Sequence, residues 1–175
     1  KVEVIVYPAW DCLPYSNISP RKEIISKRYS ALRALEGVGK SYKILLLSVE
    51  GVIQKIVPIK EILQKSFSLK INQKVILSNL VEWLEKTGYS RQTNVYSIGE
   101  YALRGGILDV FVPEIKYPIR LDFFGTKLEK IRTFDPSSQR SNGSIKNVSI
   151  FPVSEIILDE EAINTFRQNY RRTIG

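Results

Sequence analysis

Between Gly99 and Arg140 the chain reads GEYALRGGILDVFVPEIKYPIRLDFFGTKLEKIRTFDPSSQR, and no other stretch restricts the fold as tightly. Apolar runs of strand length are punctuated by Gly105-Gly106, Val112-Pro113, Tyr117-Pro118, Gly125 and Asp135-Pro136. β-Branched and aromatic residues in runs this short, closed off by Gly and Pro, suit a pleated surface that turns back on itself. The pattern predicts antiparallel strands at about 100–104, 106–112, 118–124 and 127–134, joined as a meander.

Side chains alternate between the two faces of a strand. In Arg120-Leu121-Asp122-Phe123-Phe124, Leu121 and Phe123 therefore point one way and Arg120, Asp122 and Phe124 the other. If the first pair is core, an arginine and a large aromatic share the solvated face, and Arg104 adds a second guanidinium just before the Gly pair. Arg and aromatic residues are enriched where protein interfaces concentrate their binding energy. Composition alone favours a plainer arrangement. Arg104 and Arg120 could pair with Asp109 and Asp122 across the sheet, with Phe124 in a second apolar layer.

A length of 175 residues makes one domain or two small ones, and 43% apolar content is enough to bury a core. The chain has no histidine and one cysteine, Cys12. A His-based triad, a Cys-based metal site and a disulfide framework are all excluded, and Cys12 reads as a packing residue. No window reaches the ~18 apolar residues of a membrane span, and no signal peptide opens the chain. The absence of methionine and the start in Val2-Glu3-Val4-Ile5-Val6 suggest a piece of a longer protein. The net charge of +8 is spread among interleaved acids, so it is a weak pointer to nucleic acid.

Along the chain, residues 2–7 lead into a stiff loop, Tyr7-Pro8-Ala9-Trp10-Asp11-Cys12-Leu13-Pro14-Tyr15. Ser19 is placed to cap a helix with Pro20 at its first position, and Ile24, Ile25, Tyr29, Leu32 and Leu35 recur at helical spacing. Gly37-Val38-Gly39-Lys40-Ser41 ends like a phosphate-binding loop. Ala34 stands where that loop needs its first glycine, however, and a helix precedes where a strand is required. Ile44–Leu47 is an unbroken apolar run, expected as a central strand buried on both faces. Ser48 can cap a short helix through Ile53, and Pro58 and Glu61 open another.

Phe67 to Ile71 alternates as a half-buried strand. Asn72 can cap a helix with the stripe Val75, Ile76, Leu80, Trp83 and Leu84, ended by Gly88. Tyr89 to Ile98 reads as a polar connector carrying Arg91, Ser137 to Gly143 as a polar loop, and Ile145 to Phe151 as a last strand. Ile156-Ile157-Leu158-Asp159-Glu160 looks like a magnesium-holding run but reads better as a helix start, with Asp159 as the cap and Arg171 and Arg172 in the last turn. The fold class expected is α/β (α+β): a partial parallel α/β layer, then a mainly antiparallel sheet with a packed helix.

Glu100-Tyr101-Ala102-Leu103-Arg104-Gly105-Gly106-Ile107-Leu108-Asp109-Val110-Phe111, with Arg120 to Gly125 and Ile131 to Arg140, resembles the bacterial transcription-repair coupling factors (Mfd), in the N-terminal module similar to UvrB. Tyr7 to Asp11, Leu13-Pro14-Tyr15 and Ser19-Pro20 carry the likeness to the chain start. The resemblance implies a degenerate helicase-like α/β part at 1–63, a UvrA-interaction domain at 64–153, and a helix at 154–175 leading back to the first part. It implies that Arg104, Arg120 and Phe124 contact UvrA; UvrB has a further arginine where this chain has Ala102. It also implies a cytoplasmic parent, an ATP- and magnesium-dependent DNA translocase that acts on stalled RNA polymerase and double-stranded DNA. No catalytic residue, metal or cofactor is expected in this stretch. A fragment of a UvrB-type excinuclease subunit and a non-specific nucleic-acid-binding module are the alternatives.

Overall fold

The computed structural model describes residues 2–13, 16–36, 42–56, 58–113, 115–155 and 160–174. Three features singled out in the sequence lie outside them: Pro14-Tyr15, the Gly37–Ser41 run, and the Ile156–Asp159 run with its Asp159 cap.

Strands β1 (Val2–Tyr7) and β2 (Tyr42–Leu47) pair in parallel, with α1 (Lys22–Glu36) between them in sequence. Ile5 and Tyr7 are buried with Ala31 of α1, and Leu32 and Leu45 pack around them. The expectation of a β2 buried on both faces fails. Val2, Val4, Val6, Tyr42, Ile44 and Leu46 are all exposed. One helix can cover only one side of a two-stranded ribbon, and the alternation of a strand sends every second side chain to the other.

Helix α1 also starts later than the Ser19-Pro20 signal suggests, at Lys22. The Asp11 carboxylate accepts the Arg21 backbone N–H at 3.0 Å and pairs with the Arg21 guanidinium, so a distant loop does the work expected of Ser19. Two short helices follow, α2 (Val49–Ile53), where Ser48 Oγ accepts from the Gly51 N–H at 3.3 Å, and α3 (Ile59–Gln64).

Strand β3 (Phe67–Lys70) pairs antiparallel with β10 (Asn147–Ile150), and this pair, α4 (Leu77–Lys86) and a six-stranded sheet share the main core. That sheet runs β4 (Ser90–Arg91), β5 (Glu100–Arg104), β6 (Ile107–Val110), β7 (Ile119–Phe124), β8 (Lys127–Phe134) and β9 (Ser141–Ile145), each beside the next. The meander is as the turn residues foretell. Leu80 and Leu84 of α4 meet Tyr101, Leu108, Val110, Leu121, Leu128 and Ile131 of the sheet, all fully buried. Burying each such side chain is worth about 1.5–3 kcal/mol, so this layer fixes which sheet face looks inward.

Several local readings are corrected. Asn72 does not cap α4. It holds a left-handed backbone (φ 69°) and donates its N–H to Leu128 O, while Ile76 precedes the helix. The connector after Gly88 contains β4, parallel to β5. The loop after Ser137 yields a strand, β9, on the edge of β8. The single strand expected over Ile145–Phe151 breaks at Lys146, so that β9 serves one sheet and β10 the other.

The return segment at Ser154-Glu155 ties α1 to the sheet side of the molecule. Arg28 is fully buried, with its Nε donating to Glu155 Oε1 at 2.5 Å and its Nη1 to Pro8 O and Gln54 Oε1, both at 3.0 Å. Its guanidinium carbon lies 4.5 Å from the Tyr7 ring centre and 5.2 Å from that of Trp10, within cation–π range. Trp10 Nε1 donates to the second Glu155 oxygen at 2.9 Å. Tyr29 donates to Ser154 O, and burial pushes its phenol well above the ordinary range. At the start of α1, Lys22 Nζ donates to Ser90 Oγ and Gly99 O, and burial lowers the affinity of this ammonium for its proton.

Candidate protein-docking face

The sheet face away from α4 is built by strand alternation and register. Ala102, Asp109, Arg120, Arg132 and Ser144 lie in one row across β5 to β9. Arg104, Ile107, Asp122 and Lys130 form the next row across β5 to β8. Leu121 is fully buried and Phe123 packs against the core, so Arg120, Asp122 and Phe124 face outward together. A bulge falls between Asp122 and Phe123, but the extra residue is Glu129 in β8, and the alternation of β7 is undisturbed. Arg104, Arg120 and Phe124 thus come to one face of one sheet.

Their environments differ. Arg104 is exposed at the end of β5, with Nη2 donating to Thr93 O at 2.6 Å and to Asn94 Oδ1. It lines an open cleft of about 450 Å³ with Arg91, Gln92, Thr93 and Leu103. Phe124 is 77% exposed, next to the Gly105-Gly106 turn. The second apolar layer offered by the plainer arrangement does exist, but it holds Val95, Ala102, Phe134 and Phe111 and leaves Phe124 out.

Arg120 is only 16% exposed and is already engaged. Its Nε and Nη2 donate to the two oxygens of buried Asp109, each at 2.7 Å, and its Nη1 reaches Gln139 O at 3.4 Å. The guanidinium carbon stands 4.7 Å from the Phe134 ring centre. The hydrogen bonds to Asp109 hold the Arg120 pKa above its ordinary value, against the opposing pull of burial. The plainer arrangement is therefore right about this one residue. A two-pronged grip by Arg120 on a partner carboxylate is not open to it while Asp109 occupies both prongs.

Asp122, the other carboxylate of that arrangement, pairs with Arg132 rather than Arg104, at 2.9 Å to Nε and 2.8 Å to Nη2. Arg120 and Arg132 face each other across β7 and β8, a repulsive placement on its own. Asp109, directly opposite Arg120, and Asp122, diagonal to Arg132, offset it. Arg132 and Ile107 are members of this face that the sequence reading missed. Extending the alternation of β7 to its neighbours through the turn positions would have found both.

Among the described residues no group of three or more His, Cys, Asp or Glu side chains is arranged to hold a metal ion. No described helix is long and apolar enough to cross a membrane. Of the three residues on this face, Arg104 and Phe124 are the exposed ones.

Residues 67–156 match the family model described as the UvrB interaction domain. The chain belongs to the UvrB interaction domain family. Arg104, Arg120 and Phe124 all lie in the matched part. Over almost its whole length the chain is also similar to transcription-repair-coupling factors. It is 35% identical to that of Haemophilus influenzae over 99% of the chain, 35% to that of Myxococcus xanthus over 90%, and 33% to that of Escherichia coli over 94%. These relatives are much longer, and the chain spans only 13–15% of their length. The family match covers the β3–β10 pair, α4 and the six-stranded sheet; the α1 layer lies before it.

Proposed function

We propose that this chain is the UvrA-recruiting module of a transcription-repair coupling factor and that the outer face of β5–β8 is where UvrA docks. The observation that carries this reading is Phe124, a benzyl side chain left 77% exposed on a rigid sheet and on the same face as the exposed Arg104. Aromatic side chains and arginine are enriched at protein interfaces, and arginine at their hot spots. Residues 64–153 form the docking unit in this reading. The module recruits and does no chemistry. ATP and magnesium, translocation on double-stranded DNA and the contact with stalled RNA polymerase belong to other parts of a longer cytoplasmic protein.

Calorimetric titration of the chain with purified UvrA tests the reading. Phe124→Ala and Arg104→Ala are each expected to weaken binding by about 2 kcal/mol, roughly 30-fold, with unchanged circular dichroism. If both variants bind UvrA like the parent chain, the assignment is wrong. Arg120→Ala is a poorer probe, because it strands the buried Asp109 carboxylate and confuses folding with docking.

A further inference from the structure

Ile107 opens β6 as its only exposed residue. Leu108, Asp109 and Val110 behind it are all buried. Its register partners on the outer face are Arg104 on one side and Asp122 on the other. Phe124 lies two residues beyond Asp122 on the same face, so Ile107 and Phe124 are diagonal neighbours. Such pairs stand about 7–8 Å apart between Cα atoms, within reach of an aromatic side chain. The turn between β5 and β6 leaves this spot uncovered. Gly105 and Gly106 carry no side chain to shield the pair, and the space beside Gly105 is open, with nothing within 4 Å of where a Cβ would stand.

A single exposed isoleucine would carry no information. Here it adjoins the most exposed phenyl ring of the sheet, and the charges around the two are lopsided. Asp109 and Asp122 are engaged by Arg120 and Arg132. Arg104, Lys127 and Lys130 have no ion-pair partner among the described residues, and Lys127 sits directly opposite Phe124 in the register. The result is an apolar centre of two side chains inside a cationic rim, the anatomy of a specific interface.

Resting on the docking reading above, we propose that Ile107 is the second apolar anchor of the UvrA site. The partner surface that fits is an apolar pocket holding both Phe124 and Ile107, edged by carboxylates that meet Arg104, Lys127 and Lys130. Ile107 then sets the shape of the pocket that is accepted, and the lysines set the rate of encounter.

Calorimetric titration of UvrA with Ile107→Val, Ile107→Ala, Ile107→Asp and Phe124→Ala chains tests the inference. Valine keeps the apolar branch and is expected to bind within about 2-fold of the parent. Alanine is expected to lose about 10-fold and aspartate more than 30-fold, at unchanged melting temperature. If Ile107→Asp melts early, the alanine variant decides. Phe124→Ala weakened while Ile107→Ala and Ile107→Asp bind like the parent would overturn the role of Ile107 and leave the docking face standing. All four binding like the parent would remove the docking face itself.

Discussion

Removing the Glu155 carboxylate gives the sharpest test of how the two ends of this chain are held together. Arg28 is 0% and Glu155 11% exposed at the side chain, so the pair sits in a poorly solvated cage between the Tyr7 and Trp10 rings. Glu155→Ala leaves the guanidinium with Pro8 O and Gln54 Oε1 only, and leaves the Trp10 indole N–H without its acceptor. Arg28 Nη2 already lacks a hydrogen-bond partner among the described residues, so there is no slack in the network. Breaking one side of a buried pair costs about 3–5 kcal/mol. In a chain of this size each kcal/mol lowers the midpoint by about 2–4 °C, so the fall expected is roughly 10 °C. Replacing both partners, as Arg28→Met with Glu155→Leu, is expected to recover part of the loss, since a thioether fits between two rings without a charge to satisfy. Thermal melts by circular dichroism give the midpoints. Trp10 emission in a Trp83→Phe background reports the cage itself. A Glu155→Ala midpoint within about 2 °C of the parent would refute the idea that this cage carries the junction.

The β5–β6 turn makes a second test, because its two glycines do different jobs. Gly105 has φ +58° with open space around it, so Gly105→Ala is expected to cost about 1–2 kcal/mol of left-handed strain, read by urea unfolding. Gly106→Ala forces a methyl against the Phe123 carbonyl and threatens the 2.8 Å bond from Phe123 N–H to Gly106 O, so it is expected to cost more, about 3 kcal/mol. An equal cost at the two positions would contradict the geometry. Alkaline pH is a third probe. Burial, helped by the hydrogen bond to Glu85, pushes the Tyr101 phenol up to about 12, and burial raises Tyr89 as well. A folded pKa above the unfolded one stabilises fully below pH ~10 and is lost as pH climbs toward 12, so urea midpoints should hold to about pH 10 and then fall. Phenolate absorbance should show these tyrosines ionising after the exposed ones; all nine titrating together in a still folded chain would rule this out.

The meander was readable because its information is local. Gly105, Gly125 and the prolines fix where strands end, and period-two alternation fixes which side chains face out, so the common face of Arg104, Arg120 and Phe124 followed from the sequence. What escaped was set by distant partners. Asp109 sits opposite Arg120 only after β6 and β7 pair, and nothing local says that both oxygens of that carboxylate will be used. Strand β9 has the composition of a loop, Ser141-Asn142-Gly143-Ser144, and becomes a strand because the β8 edge offers it hydrogen bonds. Helix α1 begins where Asp11 reaches it, ten residues away in sequence. Ile44 and Leu46 read as doubly buried because an apolar run records hydrophobicity and not how many layers are present to cover it.

The bare side of the parallel ribbon has a practical corollary. Valines at 2, 4 and 6 with Tyr42, Ile44 and Leu46 make a sticky strip that crowded copies will press together. Titrations led by concentrated chain would then mix self-association with capture of a partner. Keeping the chain dilute in the cell and adding the partner from the syringe separates the two.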